Sequence, residues 1–185
     1  MTAGPTAGEV TFEAVAAEEF PGIVPELAEL LADAVESGAS VNFVQPFSAE
    51  DADAWWSAKA ADVAAGTIRP LVARLDGRVV GVVLLVLSRN PNSPHRAEVM
   101  KVLVHRRARG RGVGSGLMAA LESLAQAEGR WLLILDTQSG SDAERMYRRL
   151  GWREFGVVPA HSLRADSSEY LPTTFFYKDL REAPS

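Results

Sequence analysis

Two rhythms of apolar and polar positions run through the chain. From Glu9 to Val15 the two alternate residue by residue, the period of a half-buried strand. Ile23, Val24, Leu27, Leu30, Leu31, Ala34 and Val35 then recur at helical spacing and form one apolar stripe. Pro21 and Pro25 fall at the entrance of that helix, where a missing N–H is harmless, and Ser37-Gly38-Ala39-Ser40 ends it. Val41 to Phe47 reads as an apolar loop that covers the core, with pocket lining as the alternative. Ser48 is a good N-cap for a second helix, with Glu50 and Asp51 in its first turn. Its stripe is Ala52, Trp55, Trp56, Lys59 and Val63, and Gly66 stops it. Aromatic residues at helical spacing are more often core than substrate wall, and the Trp pair is read that way.

Thr67 to Leu75 and Arg78 to Ser88 are two strands joined at Asp76-Gly77, a hairpin signal. After a turn at Asn90 to Pro94, a strand runs from Arg96 to Val104. A glycine-rich loop then opens onto a helix ending near Glu128, whose apolar face is Val113, Leu117, Met118, Leu121, Leu124 and Ala125. Trp131 to Leu135 is continuously apolar, as in a buried parallel strand. Asp142 to Leu150 is a short helix closed by Gly151. Trp152 to Val158 and Thr173 to Lys178 are the last strands, with a polar loop from Pro159 to Leu171 between them. This order predicts an α/β (α+β) fold: a mixed, mainly antiparallel sheet of about seven strands with helices on both faces. A single domain over residues 9–180 is expected, with a flexible arm at 1–8 and a tail at 181–185.

A chain of 185 residues is long enough to bury roughly 70% of its unfolded surface. It has no cysteine, which excludes disulfides, thiolate metal sites and a cysteine nucleophile. No apolar run reaches the ~20 residues of a membrane helix, and Met1-Thr2-Ala3-Gly4-Pro5 does not read as a signal peptide, so a cytoplasmic protein is expected. The net charge of −5 argues against nucleic acid as a partner. His95, His105 and His161 show neither triad nor metal-ligand spacing and read as surface or loop residues.

Basic charge concentrates instead between Arg106 and Gly116, where four arginines and four glycines fall in eleven positions between a strand and a helix. Glycines let backbone N–H groups approach a ligand, and a helix start offers unpaired donors with partial positive charge. Arginines add forked donors that suit phosphate. Two cofactors compete for this loop. Gly110, Gly112 and Ser115 approximate a dinucleotide fingerprint, with Asp136 as the ribose-binding acid, although three hairpin-like strands precede the motif. Alternatively, Arg109-Gly110-Arg111-Gly112-Val113-Gly114 fits R/Q-x-x-G-x-G/A, and Ala143-x-x-x-Tyr147-x-x-x-Gly151-Trp152 follows downstream. Together with the strand before and the helix after, these motifs resemble the GNAT superfamily of N-acetyltransferases. Gly38-Ala39-Ser40-Val41, Ala97-Glu98-Val99-x-Lys101, Leu135-Asp136-Thr137 and Phe176-Tyr177-Lys178 resemble its tabtoxin-resistance branch.

The resemblance implies acetyl-CoA as cofactor and a small-molecule amine, amino-acid-like or a β-lactam antimetabolite, as acceptor. It places catalytic roles on Glu98, Asp136 and Tyr147. It places the cofactor along the strand Val102-Leu103-Val104, whose backbone pairs with the pantetheine amides, and on the loop Arg109, Gly110, Arg111, Gly112, Val113, Gly114 and Ser115. Where the family often carries asparagine this chain has Gly140, so Ser139 or Ser141 is left to substitute. A protein or peptide acceptor, or a non-catalytic acyl-CoA sensor, belongs to the same fold. Monomer and homodimer stay open.

The chemistry can use these residue types. An amine with pKa ~10 is ammonium at neutral pH, so a base must take its proton. Glu98 shares a strand face with Met100 and Val102, which predicts partial burial and a raised pKa. On its residues alone it reads equally as a strand-end acid paired with Lys101 or an arginine. Asp136 ends a buried strand, where it can bind the substrate ammonium, share the base role, or simply cap the next turn. Tyr147 has a phenol pKa near that of a thiol and suits protonation of a thiolate, while a tyrosine on an amphipathic helix is by default core. Without cysteine, direct transfer in a ternary complex is the expected route.

Overall fold

In the computed structural model, which describes residues 8–182, the alternating stretches form one seven-stranded sheet in the order β1-β2-β3-β4-β5-β7-β6. The strands are β1 (Val10–Ala14), β2 (Ile68–Leu75), β3 (Arg78–Leu87), β4 (Arg96–Val104), β5 (Leu132–Gln138), β6 (Arg153–Leu163) and β7 (Tyr170–Asp179). Every neighbouring pair is antiparallel except β4 and β5. The helices are α1 (Phe20–Glu36), α2 (Ala49–Ser57), α3 (Ala60–Ala64), α4 (Val113–Ala127) and α5 (Asp142–Arg149).

Strand alternation divides the interior in two. Leu71 and Ala73 join a core built with α4, α5 and Phe176, while Val72 between them joins a second core against α1, α2 and α3. Gly81 lets α4 press onto the sheet: a Cβ there would lie 2.9 Å from Leu117 and 3.1 Å from the Leu103 carbonyl. Asp76 and Gly77 both adopt positive φ, as the predicted two-residue hairpin turn requires.

Several boundaries differ from the sequence reading. Pro25 lies inside α1, not at its entrance. The helix runs through it because Ile23, Val24, Leu27 and Leu31 around it are buried. The second helix is two, broken where Lys59 N–H donates to the Trp56 carbonyl at 2.9 Å, one residue too tightly for an α-helix. Ser48 forms the expected cap, with a reciprocal Ser48–Asp51 capping box. Trp56 is fully buried core, whereas Trp55 is only half-buried. The loop predicted from Pro159 to Leu171 is mostly strand, because β6 and β7 continue as a long hairpin. The proposed terminal arm and tail lie outside the described residues apart from Gly8, Arg181 and Glu182.

Two irregularities shape the centre of the sheet. Val82 pairs with Leu103 and Leu84 with Met100, so Lys101 and Val102 together oppose Val83 in a bulge, with Lys101 at φ 53°. Beyond this, β4 and β5 pair only through Arg96–Leu132, Ala97–Leu133 and Glu98–Ile134, and then part.

Candidate active site

The wedge between β4 and β5 opens into a cavity of about 860 Å³. One wall is the unpaired side of β4 with Val102, Leu103 and Val104. The floor is the glycine loop and the start of α4, and the other wall comes from Asp136 on β5 and from α5. Gly38 to Asn42, after α1, form the rim.

The glycine loop has the predicted cradle geometry. Gly110 and Gly112 sit at φ 73° and 77°, and a Cβ on either would meet nothing within 4 Å, so the space above the backbone is open. Gly112 caps α4 without a side-chain cap. The first bond of that helix runs from Gly116 N–H to the Gly112 carbonyl at 2.9 Å. The N–H groups of Val113, Gly114 and Ser115 precede it and are left for an anion. A coenzyme pyrophosphate fits this arrangement, and the bare outer edge of β4 fits the amides of a pantetheine arm.

The arginines are arranged differently from expectation. Arg106 binds Asp33 and Glu36 of α1, and Arg107 lies 3.7 Å from Glu29. Arg109 donates to the Val104 carbonyl at 3.1 Å and lies 3.8 Å from Asp33. Among the described residues Arg111 has no ion pair. Three of the four therefore fasten the loop to α1, and the donors they leave free in the cradle are mainly those of the backbone. Asp33, buried on α1, is held below the usual carboxylate range; burial opposes ionisation, but the backbone and side-chain bonds from Arg106 outweigh it.

The sequence-predicted trio converges on the cavity. Glu98 faces it as an exposed side chain rather than a half-buried one. Its pKa is nevertheless raised, first by desolvation and then by the Asp136 carboxylate, with Arg96 opposing. Asp136 lies within β5, not at its end, since the strand continues to Gln138. Tyr147 on α5 is 4% exposed, packed against Trp152 and Phe176 at ring distances of 6.0 and 6.2 Å. Burial, and secondarily Asp136, pushes its pKa up, so the phenol holds its proton more tightly than a free one. Its hydroxyl has no hydrogen-bond partner among the described residues, unlike that of a structural tyrosine. Ser139 bonds Thr174 at 2.7 Å, which leaves Ser141, on the cavity lining, as the polar side chain beside Gly140. Ser141 also caps α5.

His95 stacks on Trp131, His105 accepts from Arg107 N–H, and His161 meets Phe175 edge-on. The described residues hold no cluster of potential metal ligands, and no described helix is long and apolar enough to cross a membrane.

One cavity residue was missed as a functional candidate. Lys101 is 9% exposed, donates to the Val41 carbonyl at 2.8 Å and lies 5.2 and 5.0 Å from the Phe43 and Trp55 ring centroids. The available signal was a lysine between Met100 and Val102 in an otherwise apolar strand.

A parted parallel pair, a bare strand edge beside a glycine cradle, and two acids and a buried tyrosine on one cavity define the class of acyl-CoA-dependent N-acyltransferases. The chain belongs to the acetyltransferase (GNAT) family, whose model matches residues 27–152, and the cofactor is acetyl-CoA. The dinucleotide reading lacks its sheet, since a single parallel pair occurs among the described strands. The fold is shared with an N-acetyltransferase from Staphylococcus aureus Mu50, with a TM-score of 0.73 and 20% identity over 93% of this chain and 99% of the other. It is shared with yncA of Salmonella typhimurium, solved with its cofactor acetyl-CoA, with a TM-score of 0.72 and 20% identity over 96% and 97%. A ribosomal-protein-alanine N-acetyltransferase from Brucella melitensis matches with a TM-score of 0.71 and 24% identity over 92% and 99%.

Proposed function

We propose that this protein transfers acetyl directly to the amine of a small molecule, amino-acid-like or β-lactam in character, as a toxin-resistance enzyme does. The observation that carries the small acceptor is the far rim of the site. There the tip of the β6–β7 hairpin docks on the loop after α1: Gln45 N–H donates to the Ala165 carbonyl at 2.6 Å, and the Ser40 and Ser162 hydroxyls lie 3.4 Å apart. An extended peptide would need that groove open.

Acetyl-CoA supplies the acyl group as an activated thioester. Asp136 attracts the incoming ammonium, and Glu98, its pKa raised toward the working range, takes the proton directly or through water. The N–H groups at the start of α4 hold the pyrophosphate and so fix the thioester end against Tyr147. Attack of the neutral amine would form the N–C bond and break the C–S bond; Tyr147, holding its proton tightly, would donate a hydrogen bond to the departing thiolate, which would take its proton from solvent. The missing cysteine leaves no thiol in the chain to carry the acyl group.

Thiol release from acetyl-CoA tests this across amino acids, β-lactam amines, polyamines, aminoglycosides and short peptides. Turnover of a small amine is expected, falling about 10²–10⁴-fold in Glu98→Gln with coenzyme binding retained. Turnover of peptides alone would establish a peptide acetyltransferase, and coenzyme binding without any turnover a sensor.

A further inference from the structure

Lys101 has an environment that a surface lysine does not have. Its position on the β4 bulge, at positive φ, turns the side chain out of the ladder and beneath the loop after α1. There the ammonium meets one neutral acceptor, the Val41 carbonyl, and two aromatic faces. Among the described residues it forms no ion pair. A buried ammonium with three donors and no counter-ion is costly to retain. The charged groups around it are Asp136 on β5, which favours its protonation, and Lys59 at the α2–α3 junction, which opposes it. Glu98, on the same strand, lines the same cavity. The acceptor side thus presents two acids and, apart from them, one desolvated cation.

We propose that Lys101 is a specificity-determining residue that receives a carboxylate of the acetyl acceptor while Glu98 and Asp136 take its amine. The assignment rests on the small-amine reading above and sharpens it: the acceptor is an amino acid or another compact amino carboxylate, bound with opposite charges at opposite ends. Burial lowers the pKa of Lys101 to about 8, so the free site is protonated at neutral pH and ready for an anion, which in turn holds it protonated. Phe43 and Trp55 keep water from the pair.

The test uses L-amino acids and their primary amides as matched acceptors, with thiol release as the readout, in wild type, Lys101→Met and Lys101→Arg. The wild type is expected to favour acids over amides by tenfold or more in kcat/KM. In Lys101→Met the acids lose at least tenfold, mainly through KM, the amides are unchanged, and the preference disappears. Lys101→Arg keeps part of it. Unfolding temperature at pH 7 checks that the Met variant is folded, and it is expected to match or exceed wild type. Equal losses on acids and amides would overturn the assignment and leave Lys101 as a pin for the Val41 loop. Indifference of the wild type to the carboxylate would overturn it too. Absence of all turnover would defeat the enzyme reading separately. Calorimetry of the same acids and amides on CoA-saturated protein then decides Lys101, and no loss of acid preference in Lys101→Met overturns the assignment.

Discussion

Glu98 shows how neighbouring strands set one residue's chemistry. Its pKa is raised because the carboxyl is desolvated and because Asp136 faces the same cavity from β5; Arg96 pulls the other way. In the proposed mechanism Glu98 is the base and must be ionised to act, so kcat/KM is expected to fall as pH drops through this raised value. The acid limb of the pH profile therefore lies above the ordinary glutamate range near 4.3. Asp136→Asn is expected to move that limb down, since the second-largest cause of the shift is removed, and Glu98→Gln to remove it. A limb at the ordinary carboxylate position in wild type would show that another group titrates. Glu98, Asp136 and Tyr147, which line one cavity, could be singled out in the sequence because each sits within a local pattern. Lys101 could not, because its environment is made by Val41, 60 positions away, and by rings on two other elements. Burial also holds the Tyr147 proton more tightly than a pKa match to a thiol implies.

At the scale of elements, the basic loop and α1 act as one unit. Asp33 accepts from both the backbone N–H and the Nε of Arg106, and so clamps the turn that precedes Gly110 and Gly112. Asp33→Ala leaves those donors without their partner. The expected cost is about 1–3 kcal/mol in urea unfolding, at the lower end because the Arg106 side chain is half exposed. Coenzyme affinity is expected to fall with it, measured by calorimetric titration, because the cradle loses its fixed geometry. Unchanged affinity would mean that the glycines hold their conformation without α1. The pKa of Asp33 is depressed in the fold, so its contribution is present above the unfolded value near 3.9 and is lost as pH falls through the folded one. Helices and central strands were legible because one face of each is buried. The hairpin of β6 and β7 was not: β6 is exposed at nearly every position, so no alternation marked its length.

At the scale of the molecule, the sheet is two parts joined at its centre by three residue pairs of β4 and β5. The cavity lies where they separate. Val102, Val104 and the glycine loop come from one part, and Asp136, Ala143 and Tyr147 from the other. The order of elements was readable from periodicity alone, but the parting of β4 from β5 was not. The last pair, Glu98–Ile134, is followed closely by the bulge at Lys101 and Val102, and a bulge leaves no periodic signature in an apolar strand. A ligand that fills the wedge contacts both parts and binds only the folded state, so its binding energy adds to folding stability. At about 100 times its Kd, coenzyme A is expected to add about 2.7 kcal/mol. For a chain of this size that raises the unfolding temperature by about 5–10 °C. NAD and NADP at equal concentration are expected to produce no shift, since the site lacks the sheet topology that receives a dinucleotide. Gly112→Val is expected to reduce the coenzyme A shift most, because a β-branched residue at φ 77° both strains the α4 cap and fills the space the pyrophosphate needs. A shift with NADP that equals the one with coenzyme A would instead show that the cradle recognises an adenosine diphosphate and makes no use of the bare edge of β4.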